Sequence, residues 1–333
     1  MKIALITGSC GLIGSESSIF FAKKGFKVLG IDNNSRKFFF GKDGDISWVK
    51  RKLQKDVRNY KHYQIDIRNY RSLKKIFSKF KKNIKLIIHA AAQPSHDWAK
   101  KKPFIDFDIN SKGTLNLLEL TKFFCPDAPF IFMSTNKVYG DNPNNLPLLE
   151  KKTRWEIKKS HKFRNGIDET MSIDNCTHSF FGASKAYADL IVQEYGKNIG
   201  LKTACFRAGC VTGPNHSGAK LHGFLSYLVK SSLKKKEYVL IGYKGKQVRD
   251  NIHSEDLASC FWEFYKNPRC GEVYNTGGGR FSNCSILEAL HIVEKVKGIK
   301  IKKKILKQNR TGDHIWYVST MKKFKKHYPK WKQ

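Results

Sequence analysis

Three glycines spaced by two residues, set between an apolar strand and the mouth of a helix, leave a chain few ways to fold. In "LITGSCGLIGS" they are Gly8, Gly11 and Gly14. Ile3 to Ile6 ahead of them reads as a buried strand, and the segment behind them reads as a helix that Gly25 closes. Glycines in that setting let backbone come against a pyrophosphate, and the helix terminus adds N–H groups and a favourable dipole. The second strand, Val28 to Ile31, leads into Asp32. A carboxylate about twenty residues on can hold both ribose hydroxyls and would repel a 2′-phosphate, so NAD is preferred to NADP.

Further apolar runs at Tyr63 to Ile67, Leu86 to Ala91, Phe130 to Met133 and Thr203 to Phe206 read as strands with helices between them. The clearest helix is expected over Arg68 to Lys82, where Leu73, Ile76, Phe77 and Phe80 recur at three and four residues and leave lysines on the other face. Ser111 is placed to cap the helix that contains Leu115 and Leu118. This alternation predicts an α/β fold, a Rossmann-type doubly wound parallel sheet whose ligands lie beyond the carboxyl ends of its strands. After about Arg207 the pattern loosens into Gly- and Pro-bearing loops and shorter helices, His222 to Leu233 and Asp256 to Lys266, and "EVYNTGGG" reads as a late strand returning to the sheet. Residues 1–206 with about 249–276 are therefore assigned to an NAD-binding domain, and about 207–248 with 277–333 to a smaller C-terminal substrate-binding lobe.

Sixty-three Lys and Arg against 28 Asp and Glu give a net charge of +35. That exceeds the magnitude of roughly 2 to 8 that suits a small soluble domain. Lysines recur in pairs and triplets along the whole chain, and between Lys295 and Gln333 there are 14 basic residues and one acid, Asp313. A patch for a polyanion is one reading, but a lysine-rich composition without a role is favoured over nucleic-acid contact. Either way, anionic small substrates are steered inward. No apolar run approaches the roughly 18 residues that span a bilayer, so no membrane partner is expected. Glycines at 8, 11 and 14 with Glu16 fit a signal peptide poorly, which predicts a cytoplasmic protein. Eight scattered cysteines, without a Cys-x-x-Cys or a Cys/His ligand spacing, predict free thiols and no metal site.

The third and fourth strand ends extend the nucleotide site. Asp66 and Ile67 are placed to flank an adenine, and "HAAAQPS" from His89 offers small residues where a flat ring must lie against backbone. The glycine spacing with "YQIDIRN" and "IIHAAA", followed by "STNKVYGD", "FRAGCVTGP", "GKQVRDNIHSEDL", "YNTGGG" and "NRTGD", resembles the extended short-chain dehydrogenase/reductase superfamily over nearly the whole chain. Within it the chain is similar to nucleotide-sugar epimerases of the CDP-paratose (tyvelose) 2-epimerase type, which share "STNKVYGD". The resemblance implies an NAD-dependent enzyme that oxidises a sugar hydroxyl to a ketone and returns the hydride to the other face, here at C2 of a CDP-hexose. It also implies a homodimer or higher homo-oligomer built on paired long helices. Cofactor contacts are then expected from Gly8, Cys10, Gly11, Leu12, Ile13, Asp32, Asn33, Arg36, Asp66, Ile67, Ala90, Ala91, Ala92, Asn110 and Lys185. Thr135 matches the family's hydroxyl donor to the sugar oxygen and Lys185 its ribose-holding lysine, with Asn136 and Lys137 beside them in the catalytic group. Gln93, Ser95 and Cys210 are assigned to the substrate, and Arg249 and Arg310 to its diphosphate, a task that guanidinium forks suit.

Two positions depart from the family pattern. Phe181, four residues before Lys185, stands in the slot of the tyrosine that moves the proton, and Cys210 stands where many relatives carry asparagine. Asn136 and Lys137 replace the Asp-Glu pair of related dehydratases, which disfavours a 4,6-dehydratase. A positioned general base is worth roughly 10² to 10⁴ in rate. Either another group substitutes, with Lys137, His178, Cys210 and His216 as candidates, or the protein binds NAD and is catalytically impaired. Tyr187 is expected to face away and Tyr139 to be structural. A C4 epimerase or a reductase of nucleotide sugars is the alternative enzyme.

Overall fold

Short runs of Ile, Leu, Val and Phe bounded by turn residues have no polar face to give to water, and this chain buries them in one sheet. The computed structural model describes residues 2–219, 223–306, 308–309 and 312–333. Strands β1 (Ile3–Thr7), β2 (Lys27–Ile31), β3 (Tyr60–Tyr63), β4 (Ile84–His89), β5 (Phe130–Thr135), β8 (Thr203–Ala208) and β12 (Glu272–Thr276) run parallel in the order β12-β8-β5-β4-β1-β2-β3. Every residue of β1 and β8 is buried. One face packs on a core that includes Phe21, Phe26, Phe206, Phe261 and Phe264, the other on Leu73, Phe77, Leu117, Leu118 and Val192. The strand order reverses between β1 and β4. The connections leaving these two strands diverge, and a crevice opens at their carboxyl ends.

Smaller units complete the fold. β6 (Leu148–Glu150) and β7 (Trp155–Ile157) form an antiparallel pair, and β10 (Tyr238–Ile241) pairs in parallel with β14 (Lys303–Leu306). β11 (Val248–His253) is the spine of a second sheet, bonded to β9 (Cys210–Thr212), β13 (Asn283–Ser285) and β15 (Trp316–Tyr317).

Several boundaries differ from the sequence reading, each for a local reason. The strand expected at residues 63–67 is β3 at Tyr60–Tyr63, because the Tyr60 ring must tuck under Gly30, where a Cβ would lie 2.3 Å from the phenol oxygen. Ile65 to Ile67 are thereby released to the crevice. The helix expected from Arg68 starts at Tyr70, since the Asn69 side chain accepts the Ser72 N–H at 3.0 Å and caps it. Ser111 caps nothing. It lies in a widened turn, Asp108–Lys112, inside a continuous helical run from Pro103 to Phe124, and its hydroxyl donates to the Ser184 carbonyl oxygen at 3.1 Å.

The expected division at 207, 249 and 277 follows chain order more simply than the chain does. β11 opens the segment assigned to the cofactor domain yet bonds only within the second sheet, whereas Met321, Phe324, Tyr328 and Trp331 return to the main core. Their aromatic bulk decides this: the Trp331 indole N–H donates to the Ser259 hydroxyl at 2.7 Å, against the helix Ser254–Lys266. Of the helix expected over residues 222–233, His222 lies outside the described residues and Phe224–Leu233 is helical.

The turn after β1 has no room for a side chain. A Cβ on Gly14 would lie 2.1 Å from the Gly8 carbonyl oxygen. Overpacking of this kind costs about 1–3 kcal/mol. Gly14→Ala is therefore expected to lower the thermal midpoint by several degrees and to weaken NAD binding, as read by melting with and without NAD.

Candidate active site

A cavity of about 270 Å³ fills the crevice. Gly8, Gly11, Leu12, Ile13, Asp32, Asn33, Arg36, Asp66, Ile67, Ala90, Ala91, Ala92 and Lys185 line it. Gly8 has φ +66°, and a Cβ there would come within 2.7 Å of the Ala91 nitrogen. Only glycine allows the turn and the strand end to approach this closely. Among the described residues no side chain caps the helix Leu12–Lys23, which leaves its first N–H groups to an anion.

At the far end of the cavity the Asp32 carboxylate accepts the N–H groups of Cys10 at 3.0 Å and Asn34 at 2.8 Å. Burial raises its pKa, and those two N–H groups with Lys50 and Arg36 pull it back. The Arg36 guanidinium, pushed down to about 10 by burial and supported by Asp32, donates to the Ser217 carbonyl oxygen at 2.7 Å and so holds the loop around His216 over the cavity.

Four further residues of the expected site line neither part of the cleft and have partners within the protein. Cys10 is buried beneath the turn, with its Sγ 3.9 Å from both the Tyr60 hydroxyl and His62 Nδ1. Asn110 donates to the Gln93 carbonyl oxygen, to Asp106 and to Ser184. The Gln93 amide donates to Asp106 at 2.7 Å and to the Ser95 carbonyl oxygen at 2.9 Å, and Ser95 caps the helix His96–Lys101. A buried amide or hydroxyl must satisfy its polar atoms with neighbours, and the Gln93, Ser95 and Asn110 bonds brace the loop after β4.

A second cavity of about 280 Å³ is lined by Asn136, Lys137, Cys210, Arg249 and Asp313. Pro94, Thr135, Phe181, Gly209, Val211 and His216 line both cavities, so the two are halves of one cleft. At the junction the Thr135 hydroxyl accepts the Lys137 N–H at 3.2 Å. Phe181 stands on the first turn of the helix Phe180–Lys197, which Ser179 caps. One turn on, Lys185 Nζ donates to the Met133 carbonyl oxygen at 2.8 Å and lies 3.9 Å from the Phe132 ring centre. In the outer half Arg249 donates to Asp313 Oδ1 at 2.5 Å, and Lys137 Nζ donates to the Gly312 carbonyl oxygen at 2.9 Å and lies 3.8 Å from the same carboxylate. Against the push of burial, Arg249 and Lys137 hold the Asp313 carboxyl well below the usual range. Two cations against one carboxylate leave that wall net positive. Arg310 lies outside the described residues.

Of the substitutes considered for the missing phenol, His178 lines neither cavity and is spent on the Ile173 carbonyl oxygen at 2.9 Å. Burial pushes the Cys210 thiol up to about 12, and burial with nearby Arg36 pushes His216 down to about 4. Tyr139 is structural, its hydroxyl donating to Asn275 at 2.7 Å deep in the protein. Sequence reasoning passed over His96 and did not assign Asp313 to the site, although both line the outer half. Their signals were present: His96 follows Ala90 to Ala92 closely beyond β4, at the start of the helix His96–Lys101, and Asp313 is the one acid among the terminal basic residues. Among the described residues no cluster of three His, Cys, Asp or Glu is placed to hold a metal ion.

Residues 4–277 match the NAD dependent epimerase/dehydratase family. CDP-paratose 2-epimerase of Salmonella typhi is 30% identical over 97% of this chain and 92% of its own. The chain belongs to the NAD dependent epimerase/dehydratase family. UDP-glucuronate 4-epimerase of Thermodesulfobacterium geofontis is 29% identical over 97% of this chain and 89% of its own. The solved UDP-glucuronic acid 4-epimerase from Bacillus cereus, in complex with UDP-glucuronic acid and NAD, shares the fold with a TM-score of 0.79 at 24% identity, covering 99% of this chain and 93% of its own.

The inner half of the cleft fits the cofactor for which this epimerase/dehydratase family is named. It offers a glycine cradle that a Cβ would fill, a half-buried carboxylate suited to ribose hydroxyls, and three alanines for a flat ring. Lys185 is held to about 7 by burial, with Asp189, Cys205 and Asp106 pulling it upward. The folded chain thus gives up this proton near pH 7, whereas the unfolded chain keeps it to about 10.5. Raising the pH through that window therefore favours folding. From pH 7 to 10, wild type is expected to gain stability relative to Lys185→Met by up to ~1.4 kcal/mol per pH unit, measured by urea unfolding of both proteins.

Proposed function

We propose that the protein is an NAD-dependent epimerase of a nucleotide-activated hexose, a CDP-sugar inverted at C2. The observation that carries this reading is the cleft whose glycine- and alanine-lined inner half meets a cationic outer half at Thr135 and Phe181. Bound NAD supplies the acceptor and donor of a hydride. The chain's own groups do the rest. The Thr135 hydroxyl donates to the sugar oxygen, and Lys185, on the cofactor side, orients the nicotinamide ribose. Arg249 and Lys137 take the diphosphate, sharing Asp313 as their counter-ion until it binds. The Asn136-Lys137 pair offers no carboxyl for eliminating water, which favours epimerisation over dehydration.

C2 of a CDP-hexose is supported by the Salmonella typhi relative, and the UDP-sugar 4-epimerases at 26–29% identity make C4 the second reading. We infer a homodimer. Phe104, Phe107, Phe180, Tyr187 and Leu190 are exposed apolar residues on the neighbouring helical runs 103–124 and 180–197, and Phe107 contacts Tyr187 with ring centres 6.0 Å apart. No helix among the described residues is long and apolar enough to cross a membrane. The setting we propose is the cytoplasm, in keeping with eight free thiols.

Denaturing the purified protein is expected to release NAD. The loaded protein, incubated with CDP- and UDP-hexoses and followed by proton NMR, is expected to invert C2 of a CDP-sugar. Inversion confined to C4 of a UDP-sugar, or none with any sugar, overturns the reading. Arg249→Met should raise KM for the nucleotide sugar at least about tenfold while leaving the NAD content of the protein intact.

A further inference from the structure

The loop at residues 213–218, between β9 and the helix Phe224–Leu233, is tied to the cofactor side of the cleft by side chains that do not themselves reach the cleft. Its His216 and Ser217 line the inner cavity together with Gly8 and Asp32. Arg36 donates to the Ser217 carbonyl oxygen at 2.7 Å. From the helix Ser47–Asp56 the Trp48 indole N–H donates to the Ser217 hydroxyl at 3.0 Å, and that hydroxyl donates to the Asp45 carbonyl oxygen at 3.4 Å. Lys52, one turn beyond Trp48, donates to Asn215 Oδ1 at 3.0 Å, and the Asn215 amide donates to Glu16, on the helix Leu12–Lys23, at 2.6 Å. Asn215 is 2% exposed, so both ends of its amide are fixed out of water. Where the loop begins, a Cβ on Gly213 would lie 3.1 Å from Leu12 Cδ1, which brings the backbone close to the helix mouth.

We propose that this loop is a strap that keeps NAD in the cleft from one turnover to the next, with Trp48, Lys52 and Glu16 as the positioning residues that hold it shut. Connecting loops ordinarily lie in solvent and move easily, whereas this one is bonded to three separate helices, Leu12–Lys23, Ser35–Phe40 and Ser47–Asp56. The epimerase reading, on which the inference rests, supplies the reason. Hydride taken from the sugar has to go back to the same molecule, so opening between the two transfers would strand a ketone. A dehydrogenase, by contrast, must exchange its cofactor in every cycle, and a tight strap would limit its rate. Trp48, Lys52, Glu16 and Asn215 line neither cavity. Breaking their bonds therefore lowers the barrier to opening and leaves the contacts of the closed site alone, so release and uptake of NAD quicken together.

Release is read by chasing protein loaded with labelled NAD with an excess of unlabelled NAD, and affinity by equilibrium dialysis of the same protein. Trp48→Phe, which keeps a ring on a residue already 40% exposed but removes its N–H, and Glu16→Leu should each speed release about three- to tenfold. Together they should speed it at least about tenfold, with Kd for NAD rising no more than about twofold. Glu16→Gln also loses the charge but still offers an oxygen to the Asn215 amide, and should release NAD at close to the wild-type rate. A double variant that holds NAD within about twofold of the wild-type release rate overturns the strap. So does a Kd that rises in step with the release rate, since the residues would then support the bound site and not its closure, and so does a Glu16→Gln protein as fast as Glu16→Leu. The measurements need NAD alone. A wild type that holds NAD but inverts no sugar sinks the function proposed above and leaves the strap to be judged by release, a failed strap leaves that function standing, and a wild type that takes up no NAD overturns both.

Discussion

Backbone lying directly on backbone, between the turn after β1 and the end of β4, is the contact on which the rest of the molecule depends. The Gly14 helix turn rests against the Gly8 carbonyl and Gly8 against Ala91, at separations that exclude even a methyl group. Because nothing intervenes, the amide end of the first helix stands at the mouth of the crevice and not a side chain's length away. A cofactor's phosphates can then meet N–H groups that cost no reorganisation. Next door, Gly30 admits the Tyr60 ring under β2, which ends β3 early and turns Asp66 toward the same crevice.

The second constraint is electrostatic. Arg207 on β8 holds Asp189 through two hydrogen bonds of 3.0 and 2.7 Å, and Ser134 on β5 donates to the same carboxylate. Arg207 also donates to the Tyr139 hydroxyl at 3.1 Å. A buried ion pair adds little net stability, but leaving one partner alone costs about 3–5 kcal/mol, so such a pair locks register. Here it locks the helix Phe180–Lys197 against the sheet. Asp189 lies one turn beyond Lys185 and eases that ammonium's burial. The group that sets the helix in place therefore also tunes the residue at its active end.

Charge is distributed with the same economy. Of the few acids, Asp32, Asp189, Asp250 and Asp313 are committed to internal partners: Asp32 to the turn, Asp189 to Arg207, Asp250 to Ser319 and the Gly279 N–H, and Asp313 to Arg249. Carboxylates so engaged do little to offset the lysines outside. An anionic nucleotide sugar meets a positive exterior and then a cleft wall whose one carboxylate already answers two cations.

The nucleotide half was legible because it is written in local rules. Glycine spacing, a strand-terminal aspartate and runs of alanine act over a few residues, and the alternation of apolar strands with helices implied the parallel sheet. Boundaries slipped where a distant partner intervened, as when Tyr60 needed Gly30 or Ser111 needed Ser184. The aromatic cluster of Phe324, Tyr328 and Trp331 likewise crossed back to the main core against chain order. Polar residues were the hardest to read, since Gln93 and Asn110 look the same in a sequence whether they face a ligand or brace a loop. The sequence by itself determined the fold class, the cofactor crevice and the absence of a phenol at residue 181. Only the tertiary structure decided what stands beside that position: the contact of His96 with Phe181 joins segments 85 residues apart (181 − 96), and nothing in local spacing encodes which side chains two distant helix starts bring together.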